Sequence, residues 1–389
     1  MWEAIKMATK VKITRKNLSL QSDTKENECV SSAGCCCGSN IEKEPEIDLK
    51  AHFIIGYTKT ANRNIPKIST KLKMNDTIET LKVRFGIGRM SYLVQPGLYC
   101  IGNPDENSPV LVTANYKMSF DSVRKELAGL NVWLLVLDTK GVNVWCAAGK
   151  GTFGTSELVH RIEAVKLYDI VKHRSIILPQ LGATGVAAHE VKKKSGFNVK
   201  YGPIRASDIK AYLKADLKTN KEMRKVNFTI LNRLVLTPVE VVNTIKPLFL
   251  LFGTMFLLNA IGFSKFGFTE LYSIIGAILV GCVLTPMLLP WIPSRAFSLK
   301  GAILGLLWAA TVIFINGWIP NLIYIKAASY LLLLPTISAY LAMNFTGCST
   351  YTSPSGVNKE MHIAIPIMIV SSVLGIILLL LDSIIKSFF

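Results

Sequence analysis

The chain has 389 residues, of which 50% are hydrophobic and 18% charged, and its formal net charge is +18. The charges are unevenly spread, because only seven of the 44 lysines and arginines and three of the 26 aspartates and glutamates follow position 245. This distribution excludes a single soluble globule, and equally a protein that is embedded in a membrane from end to end. We expect a soluble module followed by a membrane module.

The first 50 residues are polar and lack periodicity, and they predict a disordered tail. They also lack the apolar core segment of a secretory signal. Four of the eight cysteines, Cys29, Cys35, Cys36 and Cys37, lie in this segment. Their thiols could hold a soft metal ion, but three adjacent thiols suit a tetrahedral site poorly and no histidine pair completes a zinc pattern. Incidental cysteines in a tail are therefore the preferred interpretation.

Residues 51–220 are predicted to form an α/β domain, because strands and helices alternate from Pro109 onward. The predicted strands are Pro109–Ala114, Asn131–Leu137, Ser175–Leu178 and Asn198–Gly202. The predicted helices are Ser119–Leu130, Ser156–Leu167, Gly185–Lys194 and Ser207–Leu217, the last with Ser207 as its N-cap. This alternation indicates a parallel, doubly wound sheet. Such sheets bind ligands at the carboxyl ends of their strands, so we expect the site in the loops that follow the predicted strands.

The loop after the second predicted strand, residues 138–154, contains a glycine pattern that resembles a nucleotide-binding motif. Gly149–Gly154 matches G-x-G-x-x-G, and Asp169 stands about 20 residues further on. However, Gly149 lies a dozen residues beyond Leu137 rather than directly after the strand, and Asp169 does not end a strand. Gly151 also occupies the place where a Walker A loop needs serine or threonine. Both kinds of nucleotide enzyme are therefore disfavoured.

The same loop predicts a short helix that carries a tryptophan and a cysteine side by side. Asn143 can cap this helix, Val144–Ala148 can form about one and a half turns, and Gly149 can end it. The start of the helix and nearby Lys150 would favour the thiolate form of Cys146. A small buried residue in a tight turn is equally consistent with this spacing.

Residues 221–246 are predicted to be a linker, and residues 247–389 a membrane domain of five helices. A spanning helix needs about 20 mainly apolar residues. The five apolar stretches are Leu248–Phe263, Leu271–Leu289, Ala302–Trp318, Leu322–Met343 and Ile363–Leu381. Core helices of a soluble protein are the alternative, but five nearly uncharged stretches in succession argue against it. Cys282 lies within a stretch and is interpreted as a packing residue.

Basic residues flank the apolar stretches mainly on one side. They are Arg224, Lys225, Arg233, Lys246, Arg295, Lys300 and Lys359. This bias predicts that the α/β domain lies in the cytoplasm, that the chain crosses the cytoplasmic membrane five times, and that the C-terminus is outside. Lys326 stands about one turn inside the fourth stretch, where snorkelling is favoured over a role in a transport pathway. Anionic membrane lipid accounts for the basic excess, and the scattered lysines do not indicate a nucleic-acid partner.

The segment Asn143–Lys150, NVWCAAGK, resembles the cap-helix motif of the membrane-bound corrinoid proteins that methylate mercury. That family is related to the large subunit of the corrinoid iron–sulfur protein of one-carbon metabolism. The resemblance covers roughly Phe53 to the C-terminus and includes Arg89–Tyr92, Pro96–Tyr99, Ser108–Lys117, Leu178–Gly182, Tyr201–Pro203, Asn344–Gly347 and Tyr351–Val357. The chain departs from the family pattern at Thr184, where a proline is expected, and at Cys348.

The resemblance implies a fold and a site. The fold would be a doubly wound, flavodoxin-like corrinoid-binding domain followed by five transmembrane helices. Cys146 would be the lower axial ligand of the corrinoid cobalt, and the histidine signature of ordinary cobalamin proteins is absent. The remaining cap residues would be Asn143, Val144, Trp145, Ala147, Ala148, Gly149 and Lys150, and the other lining residues would be Thr113, Ala114, Asn115, Gln180, Leu181, Gly182 and Ala183.

The resemblance also implies a reaction and its partners. The chain would transfer a methyl group from a methyl–Co(III) corrinoid to Hg(II), because an electron-rich thiolate opposite the methyl group suits a soft electrophilic acceptor. A two-cluster 4Fe–4S ferredoxin-like protein would supply electrons, and a folate-linked methyltransferase would supply the methyl group. Two other functions stay open: a membrane-anchored corrinoid methyl carrier of one-carbon metabolism with a different acceptor, and a non-catalytic receptor or transporter with a flavodoxin-like sensor domain.

Overall fold

The computed structural model describes residues 51–60, 63–89, 91–261, 266–349 and 351–388. The predicted tail and its four cysteines lie outside these residues, and so does the side chain of Cys348. The described chain forms an α/β domain followed by a set of long apolar helices.

A seven-stranded mixed sheet forms the centre of the α/β domain. The strands are β1 (Ile54–Lys59), β2 (Asn64–Ile68), β3 (Gly97–Ile101), β4 (Val110–Ala114), β5 (Val132–Leu137), β6 (Ser175–Leu178) and β7 (Asn198–Tyr201), in the spatial order β1-β2-β3-β5-β4-β6-β7. The four predicted strands, β4 to β7, are parallel to one another. The expectation of a wholly parallel sheet is wrong, because β3 pairs antiparallel with β5 and β1 pairs antiparallel with β2.

Helices cover both faces of the sheet. They are α1 (Met74–Arg84), α2 (Lys117–Glu126), α3 (Val144–Lys150), α4 (Thr155–Ala164), α5 (Ala188–Ser195) and α6 (Ile209–Lys214). Side chains of α4 and α5 pack in one core cluster, and those of α2 and α6 in the other. The prediction of Ser207 as an N-cap is wrong: it lies in the turn Ala206–Asp208, and its hydroxyl group donates to the Asp208 carboxylate at 3.2 Å.

The central strands β4 and β5 are buried along their whole length. Because successive side chains of a strand point to opposite faces, each strand contributes side chains to both core clusters. In β5, Trp133 and Leu135 enter the α4–α5 cluster, whereas Leu134 and Val136 enter the α2–α6 cluster. The continuous apolar sequence of these strands thus follows from burial on two faces.

The connections of the parallel strands place a crevice between β4 and β6. From β4 the chain moves to β5 on one side, and from β6 it moves to β7 on the other side. Where two neighbouring strands lead away in opposite directions, their carboxyl ends leave a gap between the connecting loops. A ligand site is therefore expected beyond Ala114 and Leu178.

Five helices are long and apolar enough to cross a membrane, as predicted. They cover Ile230–Ala260, Phe268–Leu288, Phe297–Ile315, Tyr324–Gly347 and Ser355–Ile385, and we call them the first to fifth spans. The first span begins with α7 (Ile230–Leu234) and continues in α8 (Thr237–Ala260). Residues 230–246 of the predicted linker are thus mostly helical. The second span consists of α9 (Phe268–Leu279), a π-helical turn (Val280–Leu284) and α10 (Thr285–Leu288).

The second, third and fourth spans pack together through small residues and one ion pair. A methyl group at Gly301 would lie 2.5 Å from the carbonyl oxygen of Ser338, so these helices approach too closely for a side chain there. The prediction that Lys326 snorkels is wrong, because its Nζ atom lies 2.7 Å from Glu270 Oε1 and 5.0 Å from the centre of the Trp318 ring. Cys282 is buried, as its interpretation as a packing residue requires.

Candidate functional site

The predicted short helix after β5 is present as α3 and is two residues longer at its end than the sequence suggested. Asn143 is the N-cap, and its Oδ1 atom accepts a hydrogen bond from the Cys146 backbone N–H at 2.9 Å. The helix ends at Gly151, which adopts a left-handed conformation with φ of 82°, and not at Gly149. We call α3 together with Asn143 the cap helix.

A buried asparagine holds the loop that leads into the cap helix. Asn115 Oδ1 accepts hydrogen bonds from the backbone N–H groups of Thr139 and Gly141, at 3.0 and 3.1 Å, and from the Thr139 hydroxyl at 2.8 Å. Its Nδ2 atom donates to Asp138 Oδ1 at 3.1 Å. Although burial raises the pKa of Asp138, hydrogen bonds from Lys140 and Asn115 hold it below its ordinary value. Asn115 therefore positions the cap helix rather than lining a cavity.

The inner face of the cap helix rests on the loop after β6. Ala147 and Ala148 are buried in the α4–α5 cluster. A methyl group at Gly185 would lie 3.0 Å from the Ala148 Cα atom and 2.1 Å from the Phe153 carbonyl oxygen. A methyl group at Gly182 would lie 2.5 Å from the Phe153 ring. The small residues of both segments are thus required by the close approach of two backbones.

The outer face of the cap helix carries Trp145 and Cys146. Trp145 is exposed and Cys146 is partly exposed. Of the three free cysteines whose side chains the structure describes, Cys100 and Cys282 are buried, so Cys146 is the accessible thiol among them. Burial raises the pKa of the Cys100 thiol, which opposes formation of a thiolate there.

A cavity of about 490 Å³ lies beside the cap helix, at the carboxyl ends of β4, β6 and β7. All four predicted loops contribute to it. From the predicted site residues, Thr113, Asn143, Val144, Trp145 and Leu181 line its wall. Deeper in the domain the cavity is bounded by Leu111, Val123, Ile177, Ile209 and Tyr212. The cavity therefore occupies the crevice between β4 and β6 and extends under α2 and α6.

The remaining predicted residues do not line this cavity. Ala114, Asn115, Ala147, Ala148 and Gly182 are buried behind it. Cys146 and Ala183 are partly exposed beside it, and Gly149 and Lys150 are exposed on the far end of the cap helix. Gln180 is partly buried, and its Oε1 atom is enclosed without a hydrogen-bond partner among the described residues. Five of the predicted residues therefore line the cavity, and the buried ones among the rest pack in the domain next to the cap helix and its neighbouring loops.

Several lining residues were not predicted from the sequence. Arg84, Arg89, Arg205 and Tyr116 line the cavity, and no aspartate or glutamate is among its lining residues in the described chain. Tyr116 is buried, its hydroxyl group donates to Met118 Sδ at 3.1 Å, and burial raises its pKa while Arg89 and Arg84 oppose that rise. Arg89 belongs to one of the segments that carry the family resemblance, which was the available signal. Arg84 precedes that segment and gave none.

The lining combines apolar side chains, three arginines and one unpartnered hydroxyl group, so it suits a ligand with hydrogen-bond acceptors around its edge, such as the amide groups of a corrinoid. Thr113 Oγ1 is buried without a hydrogen-bond partner among the described residues and lines the cavity. A buried hydroxyl group without a partner costs about 1–3 kcal/mol, which a ligand amide can relieve. The Cys146 sulfur, beside the cavity, is a soft donor of the kind that transition metals accept. In the described residues, no group of three or more His, Cys, Asp and Glu side chains is arranged to hold a metal ion.

Comparisons with known proteins bear on the α/β domain. The family model described as CdhD, the CO dehydrogenase/acetyl-CoA synthase delta subunit, matches residues 71–213. The acetyl-CoA decarbonylase/synthase complex subunit gamma of Methanocaldococcus jannaschii is 37% identical over 144 residues, which are 36% of this chain and 29% of that protein. The corresponding subunit of Methanopyrus kandleri is 36% identical over 125 residues, 32% of this chain and 27% of that protein.

A further relative has a name that refers to the cofactor. The corrinoid/iron-sulfur protein large subunit of Moorella thermoacetica is 35% identical over 126 residues, which are 32% of this chain and 28% of that protein. The chain thus spans less than a third of the length of these relatives. The matches confirm that the α/β domain is related to corrinoid proteins, and they do not support the methylation of mercury.

Proposed function

We propose that this chain is a membrane-anchored corrinoid protein that carries and transfers a methyl group, with Cys146 as the lower axial ligand of cobalt. The observation that carries this proposal is the cap helix, which presents a partly exposed thiol beside a cavity at the crevice between β4 and β6. The order β5-β4-β6-β7 of the parallel strands agrees with the first four strands of a flavodoxin-like sheet, which supports that fold for the domain.

Each part of the site has a physical role in this function. A corrinoid bound there would supply a cobalt-bound methyl group, and a thiolate on the opposite side of the ring would enrich that group in electrons. Cys146 would provide the sulfur ligand, and Asn143 holds the backbone of Cys146 in place. Ala147 and Ala148 fix the helix on the domain, while Thr113 offers an unused hydroxyl group to the edge of the ligand.

The methyl acceptor distinguishes two candidates. The names of the relatives favour an acceptor in one-carbon metabolism of the acetyl-CoA type. The accessible cysteine on the cap helix is the observation for Hg(II) as a second candidate, because a sulfur ligand from Cys146 would make a cobalt-bound methyl group more suited to a soft electrophile. The relatives cover only the α/β domain, so their names do not extend to the membrane helices.

The proposed function also includes protein partners and a membrane location. The gamma subunits among the relatives are named as parts of a complex, which supports protein partners for this chain. By the family resemblance these are a two-cluster 4Fe–4S ferredoxin-like reductant and a folate-linked methyltransferase. The five apolar helices and their basic flanks support a place in the cytoplasmic membrane with the α/β domain in the cytoplasm.

Corrinoid binding tests the shared part of the proposal. Purified full-length protein is mixed with a corrinoid, and both the bound fraction and the visible absorption spectrum are measured. We expect binding with a changed spectrum, and a Cys146→Ala variant that binds corrinoid but loses the spectral change. A Cys282→Ala variant is the matched control, since that thiol is buried in the second span and should leave the spectrum unaltered. An unchanged spectrum in Cys146→Ala contradicts the axial-ligand role.

Single-turnover transfer separates the two acceptors. The protein is loaded with a methylated corrinoid, freed of excess cofactor, and presented with Hg(II) at a stoichiometric amount. Formation of methylmercury that depends on Cys146 supports the mercury acceptor. The carrier function is supported instead if the methyl group is retained in the presence of Hg(II) but is transferred to a one-carbon acceptor protein of the acetyl-CoA type.

A further inference from the structure

Helix α1 is amphipathic in the reverse of the usual sense, since its apolar residues face away from the domain. Asp76 and Val83 point inward and are buried. Met74, Ile78, Leu81 and Phe85, which follows the last helical residue, are between 44 and 75% exposed. Their spacing of four, three and four residues places them on one stripe of the helix. We call these four side chains the α1 ridge.

The ridge is extended at both ends by further apolar side chains. Leu72 precedes it and Ile87 follows it, and both are exposed in the described chain. Single exposed apolar residues are ordinary, whereas a continuous apolar stripe marks a surface that contacts another partner. The inward position of Asp76 shows that the helix is not simply rotated, because its carboxylate is fixed by Lys117 at 2.8 Å and Arg124 at 2.9 Å.

The carboxyl end of α1 lies against the start of the first span. Arg84 Nη1 donates to the Val235 carbonyl oxygen at 3.4 Å. A methyl group at Gly86 would lie 3.7 Å from Val239 Cγ2. Both partners belong to the segment where α7 passes into α8, and α7 packs against α10 at the end of the second span. The carboxyl end of the ridge therefore lies near the start of the first span and the end of the second.

The exposed surface of α7 continues the same apolar region. Ile230, Leu231, Leu234 and Val235 are exposed among the described residues. The polar residues that flank the α1 ridge are mainly basic, namely Lys71, Lys73, Lys82, Arg84 and Arg89. Glu79 is the partly exposed acid of this segment, since Asp76 is buried. An apolar stripe with basic flanks is the arrangement of helices that lie in the interface of an anionic membrane.

We propose that the α1 ridge is immersed in the interface of the same bilayer that holds the five spans, with its basic flank on anionic phospholipid head groups. This inference rests on the membrane location proposed above. It fixes the α/β domain at two points, through the first span and through α1. Because Arg84 and Arg89 also line the cavity, the cavity opens next to the bilayer surface rather than toward bulk water.

Photo-crosslinking to lipid tests this surface in the full-length protein. Benzoylphenylalanine replaces Ile78 or Leu81, one at a time, and the protein is reconstituted in nanodiscs of zwitterionic and anionic phospholipid. Tyr168 is the matched negative control, because it is 47% exposed and shortly precedes Lys172 and His173, which hydrogen-bond to Glu106 and Ser108 before β4 at the amino end of the sheet. Leu257, an exposed residue of the first span, is the positive control.

We expect lipid adducts at Ile78 and Leu81 in a yield at least about tenfold above that at Tyr168, and a several-fold lower yield in purely zwitterionic nanodiscs. Adducts at Leu257 without adducts at Ile78 and Leu81 overturn the immersion of α1 but leave the membrane location standing. A lack of adducts at Leu257 as well overturns the membrane location itself. Crosslinks from Ile78 to residues of this chain or to another protein, instead of to lipid, show that the ridge is covered by protein and also overturn the proposal.

Discussion

The side chain of Asn143 controls how the cysteine of the cap helix is presented to a ligand. Asn143 accepts the hydrogen bond of the Cys146 backbone, and a capping side chain of this kind stabilises a helix by about 1 kcal/mol. In a helix of seven residues, this contribution is large relative to the total. We therefore expect Asn143→Ala to weaken corrinoid binding about 3- to 10-fold. Equilibrium binding measured by visible absorption checks this expectation.

The matched control at this position is Asn143→Asp, which retains an oxygen acceptor for the Cys146 N–H. It should bind corrinoid within about twofold of the unaltered protein. Equal losses in Asn143→Ala and Asn143→Asp would show that the amide group acts on the ligand itself rather than through the helix. Unaltered binding in both variants would show that the cap is not needed to present Cys146.

At the scale of elements, a buried ion cluster joins α1 to α2. Asp76 Oδ1 lies 2.7 Å from His52 Nε2 and 2.8 Å from Lys117 Nζ, and Asp76 Oδ2 lies 2.9 Å from Arg124 Nη2. Asp121 accepts from Lys117 and Arg124 at 2.6 Å. Although burial raises the pKa of Asp76, hydrogen bonds from Lys117, the Lys73 backbone and His52 hold it well below its ordinary value. The charged form is therefore the stable one.

Replacing Asp76 by asparagine leaves two buried cations with one carboxylate. We expect Asp76→Asn to lower the free energy of unfolding by about 3–5 kcal/mol, whereas Glu79→Gln on the same helix should change it by less than about 0.5 kcal/mol. Thermal unfolding of the purified protein measures both. An effect of Asp76→Asn no larger than that of Glu79→Gln would show that the cluster contributes little to stability.

The same cluster predicts a dependence of stability on pH. Because folding lowers the pKa of Asp76, its contribution is complete above the ordinary pKa of an aspartate and is lost as the pH falls below it. The midpoint of thermal unfolding should therefore fall from about pH 5 downward. In Asp76→Asn this decline should be shallower, since one linked proton has been removed. Parallel declines in both proteins would assign the acid sensitivity to other groups.

The elements also show what could be predicted from the sequence. Strands β4 to β7 and the cap helix follow from apolar runs and from the positions of Asn143 and the glycines. Strands β1 to β3 and helix α1 were not predicted as elements. In α1 the inward side carries Asp76 and the outward side is apolar. This pattern is contrary to the rule that the apolar face of a helix packs on the core, so the rule would place the wrong face inward. Arg84 and Arg89 reach the cavity only through the placement of α1, which the sequence does not encode locally.

An ion pair joins two of the membrane spans. The Glu270 carboxylate pairs with Lys326 and accepts a hydrogen bond from the Tyr330 hydroxyl at 3.3 Å, so the second and fourth spans share one ion pair. Removing one partner leaves the other charge buried, at a cost of about 3–5 kcal/mol. We expect Lys326→Met to lower the thermal midpoint in detergent more than the double variant Glu270→Gln with Lys326→Met. Additive losses in the double variant would contradict an energetic coupling of the pair.

At the scale of the whole molecule, the two modules are arranged so that the cavity lies close to the membrane helices. Leu236, at the junction of α7 and α8, lines the cavity together with residues of the α/β domain. Aromatic contacts join the segment before α7 to the end of the fourth span and to the segment that follows it, because Phe228 stacks on Phe345 at 6.5 Å and meets Tyr351 at 5.7 Å. The segments at one end of the spans thus pack close to the residues that line the cavity.

This arrangement makes the membrane orientation testable. The orientation proposed from the basic residues before the first span and between the second and third spans has those segments in the cytoplasm, and the loop between the third and fourth spans outside. A cysteine introduced at Asn321, in the latter loop, should react with a membrane-impermeant maleimide in intact cells. A cysteine at Pro293, between the second and third spans, should react only after the cells are permeabilised. The unaltered protein measures the background from the native thiols. The reverse pattern would place the α/β domain and its cavity outside the cell, where neither a cytoplasmic iron–sulfur reductant nor a folate-linked methyl donor could reach Cys146.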